Sequence, residues 1–77
     1  MLGMRIIRVA RGLTMDDLGR AAVIAASRLS LIEREKIAPS PEEVIRIAAA
    51  LSWPADEIDV LIRPVDDGRL QNARGGT

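Results

Sequence analysis

The sequence predicts an all-α domain of five short helices. Apolar residues recur at helical spacing, most clearly Val44, Ile47, Ala48 and Leu51 at i, i+3, i+4 and i+7. Two cap signatures, Thr14 with Asp17 and Ser40-Pro41-Glu42-Glu43, mark helix starts. No stretch alternates apolar and polar residues as a strand does, and there is no internal repeat. The 77 residues suffice for one domain. A chain this short buries a modest fraction of its surface, so a partner copy is an expected source of stability.

The first helix is expected over Met1 to Arg11, with Met4, Ile7 and the stem of Arg11 on one side and Gly12 just past the end. Ile6 and Val9 lie on the opposite side and form either satellites of the core or an exposed patch. The second helix runs from about Met15 to Ala22: Thr14 is the N-cap, Asp17 stands at N3, and Asp16 and Asp17 face the positive end of the helix dipole. Val23-Ile24-Ala25 breaks the pattern without Gly or Pro. A third helix follows, with Leu29 and Ile32 as its apolar stripe and Arg28 and Ser30 between them, ending near Glu33 or Arg34.

Glu35 to Pro39 reads as a loop, because Pro39 disfavours a helical Ala38. The fourth helix starts at Pro41, with Ser40 as N-cap and Glu43 at N3, and stops near Ser52-Trp53 ahead of Pro54. Ile45 is apolar beside its stripe. The fifth, about Ala55 to Ile62, presents Ile58, Leu61 and Ile62 before Pro64. Residues 1–63 therefore form the domain, and 64–77, with little to bury, are expected to be a flexible tail. Trp53, the sole aromatic residue, is expected to plug the core or the domain edge, or to cover a dimer seam.

Composition removes several classes of function. Without Cys or His there are no disulfides, no thiolate nucleophile and none of the usual zinc ligands, so no metal or cofactor is expected. The serines and Thr14 have no base to activate them, and the acidic pairs Asp16-Asp17, Glu42-Glu43 and Asp66-Asp67 are adjacent rather than facing, which argues against an enzyme. No apolar run suits a membrane span or a signal peptide, so a cytoplasmic location with no membrane partner is the expectation. Net charge is zero but polarised. Residues 1–36 hold seven basic against four acidic residues, +3, and the remainder four against seven, −3. Such polarity fits either a basic face toward a phosphate backbone or ordinary solvated charge.

The strings Leu13-Thr14-Met15-Asp16-Asp17-Leu18-Gly19-Arg20-Ala21-Ala22, Ser27-Arg28-Leu29-Ser30-Leu31-Ile32-Glu33-Arg34, Pro39-Ser40 and Ile47-Ala48-Ala49-Ala50-Leu51 resemble the helix-turn-helix domain of the lambda repressor and Cro type, the xenobiotic-response-element family. The resemblance implies a five-helix lambda-repressor-like DNA-binding domain whose third helix enters the major groove. It places Ala25, Ala26, Ser27, Arg28, Ser30 and Leu31 at or beside the groove, Thr14 and Met15 at the start of the second helix, and Arg34 and Lys36 in a backbone-contacting loop. It also implies a structural ion pair between Arg8 and Glu33. The chain departs from the family pattern at Met15, where glutamine is usual, and at Val23 and Glu35, where glycine is usual.

These features imply a transcriptional regulator, a repressor or controller, that binds a roughly palindromic stretch of double-stranded DNA as a homodimer with Ile58, Leu61 and Ile62 at the dimer contact. No small-molecule ligand is expected. Within the third helix, Arg28 alone has the fork for a bidentate contact with guanine. The alternative is a protein-interaction module that keeps the fold but has lost base reading, suggested by the neutral charge, Met15 and the alanine-rich third helix.

Overall fold

A computed structural model of the chain describes residues 1–65. It comprises α1 (Gly3–Ala10), α2 (Met15–Ala22), α3 (Ala26–Glu33), α4 (Pro41–Ala50), a 3-10 turn (Ala55–Glu57) and α5 (Ile58–Leu61). The expected tail from 66 onward lies outside the described residues.

Each boundary has a local cause. Leu2 is extended before α1, and Gly12, at φ 71°, turns the chain after it. Both expected capping boxes form. Asp17 N–H donates to Thr14 Oγ1 at 3.0 Å while Thr14 N–H donates to Asp17 Oδ2 at 3.0 Å. In α4 the corresponding bonds, Glu43 N–H to Ser40 Oγ and Ser40 N–H to Glu43 Oε1, measure 3.1 and 2.9 Å. Each box satisfies two backbone donors that a bare helix end would leave open. The fifth helix differs from the single segment expected over Ala55 to Ile62: a 3-10 turn after Pro54 leads into one α turn. So short a segment does not sustain a helix by itself and takes its form from the surface it packs on.

That surface is the core of Met4, Leu18, Leu29, Ile32, Ile47, Leu51 and Leu61, all fully buried. Burying a side chain of this size contributes about 1.5–3 kcal/mol, offset in large part by lost conformational freedom. In this packing α2 lies against α3 and α4, and α1 bridges α5 and α3. Leu61, expected at a dimer contact, is instead 1% exposed inside the monomer, because it lies on the face of α5 that packs into the core. Ile62 is exposed and Ile58 half-buried. Ile6, Val9 and Ile45 are exposed rather than satellites of the core.

The start of the chain is laced to its far end. Leu2 N–H donates to Glu33 O, Gly3 N–H to Arg63 O (both 2.9 Å), and Val65 N–H to Met1 O at 2.7 Å. Leu2 and Pro64 form an isolated antiparallel bridge, so Pro64 and Val65, assigned to the tail by sequence, pair with the N-terminal residues. A Cβ at Gly3 would stand 2.3 Å from Val60 O, so only glycine permits this approach of α1 to α5. Trp53 is half-buried at the domain edge. Its indole N–H donates to Glu57 O at 2.8 Å, and the Arg11 guanidinium lies 5.8 Å from its ring centroid while donating through Nε to Leu51 O at 2.5 Å.

Candidate nucleic-acid interface

The α2–turn–α3 unit is built on close backbone approach. Ile24 N–H donates to Gly19 O at 3.0 Å, and a Cβ on Gly19 would come within 2.7 Å of Ile24 O. Ile24 and Ala22 are buried beneath the turn. Val23 adopts φ 57°, ψ 50°, a left-handed conformation that disfavours a β-branched residue by about 1–2 kcal/mol, and its side chain is 78% exposed. Glu35 holds a second left-handed position, φ 63°, where the loop leaves α3.

Arg8 joins this unit to α1. Its Nε donates to Glu33 Oε2 at 2.7 Å, Nη2 to Oε1 at 3.3 Å and Nη1 to Leu13 O at 2.8 Å. Glu33 is 2% exposed, so the pair lies largely out of water.

On α3, Leu29, Ile32 and Glu33 face inward. The opposite face carries Ser27, Ser30, Leu31 and Arg34 at i, i+3, i+4 and i+7. Ala25 is the N-cap and has no side-chain acceptor for the first N–H groups of the helix. It and Ser27 are exposed, and Ala26 is half-buried. Arg34 Nε donates weakly to Ser30 O at 3.4 Å, and the exposed Lys36 is fixed through its backbone N–H to Leu31 O at 2.8 Å. Thr14 is exposed, but its hydroxyl oxygen and backbone N–H serve the capping box. Met15, the first residue of α2, is half-buried and packs against the core.

Arg28 differs from its neighbours on α3 in being already engaged. Its Nε donates to Glu43 Oε2 at 2.5 Å and its Nη2 to Oε1 at 2.9 Å, a bidentate pair between α3 and the first turn of α4. The Arg28 bonds, together with the Ser40 N–H, hold the Glu43 carboxyl down at about 2 from its ordinary 4.5, and the same bonds raise the pKa of Arg28. Sequence reasoning gave Glu43 only its cap. The two residues stand 15 apart with no local signal between them, and only the packing of α2 between α3 and α4 brings them together. Among the described residues no cluster of His, Cys, Asp or Glu could hold a metal ion, and no helix is long and apolar enough to cross a membrane.

An all-helical domain that projects a polar helix face from a tight turn, beside an exposed Arg and Lys, belongs to the class of small helix-turn-helix DNA-binding regulators. The helix-turn-helix family profile matches residues 4–58, and the chain belongs to this family, of the Cro/C1 type. The family is one of DNA-binding domains, not of enzymes. Searches of curated proteins and of solved structures returned no match.

Proposed function

We propose that the protein is a sequence-specific transcriptional regulator, a repressor or controller, that binds a roughly palindromic operator as a cytoplasmic homodimer. The observation that carries this reading is the open face of α3. Ser27, Ser30 and Leu31 offer hydroxyl and apolar contacts to base edges, Ala25 and Ala26 fit a thymine methyl, and Arg34 and Lys36 lie beside them for phosphates. Thr14 and Met15 border the same face and contribute shape more than donors. With so few base-reading groups, selectivity leans on DNA shape and half-site spacing as well.

The homodimer reading is supported by an apolar groove of 740 Å³ to which Leu2, Ile37, Val44, Ile45, Ile58 and Ile62 contribute. Ile58 on α5 and Ile62 at its C-cap remain available for such a contact once Leu61 is in the core. Two copies joined there on a two-fold axis carry two recognition helices, matching a symmetric site.

One observation favours a protein-interaction module instead: two of the Arg28 donors are already taken by Glu43. Selection of bound duplexes from a random pool, followed by titration of the recovered sequence at two salt concentrations, separates the readings. A symmetric motif whose affinity falls steeply with salt supports the regulator. Absence of enrichment, with weak binding even at low salt, rejects it.

A further inference from the structure

The pairing of Arg28 with Glu43 carries an inference that rests on the DNA-binding reading above. We propose that Glu43 is a positioning residue for base recognition. It grips one edge of the Arg28 guanidinium so that the opposite edge is presented as a rigid two-donor fork to a guanine. The gripped edge is Nε and one hydrogen of Nη2, bound to the two carboxylate oxygens. Among the described residues, the remaining Arg28 donors, on Nη1 and the second hydrogen of Nη2, make no hydrogen bond. Of these three, one on Nη1 and the one on Nη2 are parallel N–H groups, the pattern that matches guanine O6 and N7 in the major groove.

The grip is anchored from behind. Glu43 is 9% exposed and also accepts from Ser40 N–H, its own N–H is held by Ser40 Oγ, and Pro41 fixes the turn that follows. The carboxylate therefore cannot follow Arg28 outward. The Arg28 side chain remains 44% exposed, so the ungripped edge is open to solvent. An unrestrained arginine loses much rotamer freedom on docking; here that loss has already occurred in the free protein. Glu43 also cancels the Arg28 charge, so Arg28 adds little to phosphate attraction and acts through geometry.

This arrangement makes Glu43→Gln shift specific and non-specific binding in opposite directions. Glutamine keeps an oxygen for the Ser40 N–H and so preserves the capping box, but loses the charge that clamps Arg28. The test uses the full chain, the duplex recovered from the random pool, the same duplex with its half-site G·C pairs exchanged singly for A·T, and a random duplex. Wild type is expected to prefer the recovered duplex to its best-discriminated exchange by about tenfold. E43Q is expected to lose most of that ratio, to bind the random duplex more tightly, and to show a salt slope steeper by about 0.9 for a new phosphate contact. In an Arg28→Ala background the same exchange at 43 is expected to leave the ratio unchanged. An E43Q protein that keeps the wild-type ratio, or an equal loss without Arg28, overturns the proposal. A wild type that selects no duplex rejects the DNA-binding reading itself, a distinct result. Nitrogen NMR of the Arg28 Nε–H in the wild type checks the geometry even if the variant does not fold. Slow exchange and an unchanged shift on adding the duplex are expected, and loss of the Glu43-bonded signal on binding overturns the proposal.

Discussion

The two capping boxes of this domain are built from the same local chemistry and end in different surroundings. At α2, Asp17 caps Thr14 and receives Arg20 of its own helix at 2.8 Å, with the arginine 74% exposed. At α4, Glu43 caps Ser40 and receives Arg28 from another helix, in a pair where the carboxylate is 12% exposed. The Thr14 backbone bond is the main reason that the Asp17 carboxyl is held below its usual range, whereas at Glu43 the arginine from α3 is the main reason. A capping box is thus a local device whose acidic residue has capacity to spare. At α2 that capacity is taken up by an exposed neighbour of small effect. At α4 it joins two helices and fixes a side chain on α3.

A third acidic residue, Glu33, carries the largest expected effect. Glu33 has no cap to serve and is held only by tertiary partners, so Glu33→Ala leaves the Arg8 guanidinium uncompensated. A loss of about 3 kcal/mol in stability is expected by chemical denaturation, a large fraction of what a small domain has. A loss below about 1 kcal/mol would show that the pair sets geometry and little else. Removing the two cap hydroxyls contrasts the boxes directly. Thr14→Ala and Ser40→Ala should each cost about 1 kcal/mol, with the greater fall in Tm at Ser40 because that box also steadies Arg28. Equal falls would mean that the two helix starts are energetically alike.

Acid titration sharpens the contrast further. Glu43 has a folded-state pKa near 2, below its ordinary 4.5, so its pairing stabilises the fold above 4.5 and is lost as pH falls toward 2. Arg28→Met should flatten the decline of Tm across that window while leaving the Asp17 contribution in place. An unaltered decline would assign acid sensitivity to other carboxylates. The smallest effect concerns how the boxed helices end: α2 stops at left-handed Val23, and Ser52, beyond α4, is left-handed as well. Val23→Gly should raise stability by up to about 1 kcal/mol in thermal melts, since glycine removes the Cβ conflict but adds freedom to the unfolded chain. A fall in Tm would show that Val23 makes contacts outweighing its strain.

The helix starts were legible because their signals are local. Thr14 with Asp17, and Ser40 with Pro41 and Glu43, specify backbone bonds three residues apart, and the stripe Val44, Ile47, Ala48 and Leu51 specifies a buried face. The end of α2 was less so. Val23 carries no turn chemistry, and the left-handed step is imposed by Gly19 and Ile24 packing too closely for the helix to continue. Leu61 illustrates a further boundary. Its apolar spacing with Ile58 and Ile62 says that it is buried, but not whether the covering surface belongs to the same chain or to another.

An all-helical domain, the bounds of four helices to within a few residues and both capping boxes were readable from the chain alone, because periodicity and caps act over one or two turns; the family was readable from the likeness of the Leu13 to Leu51 strings to helix-turn-helix domains. That Arg28 lies against Glu43 and that Leu61 belongs to the core followed from the packing of the helices. Those outcomes depend on which helix faces meet across the fold, and no interaction between sequence neighbours encodes that choice.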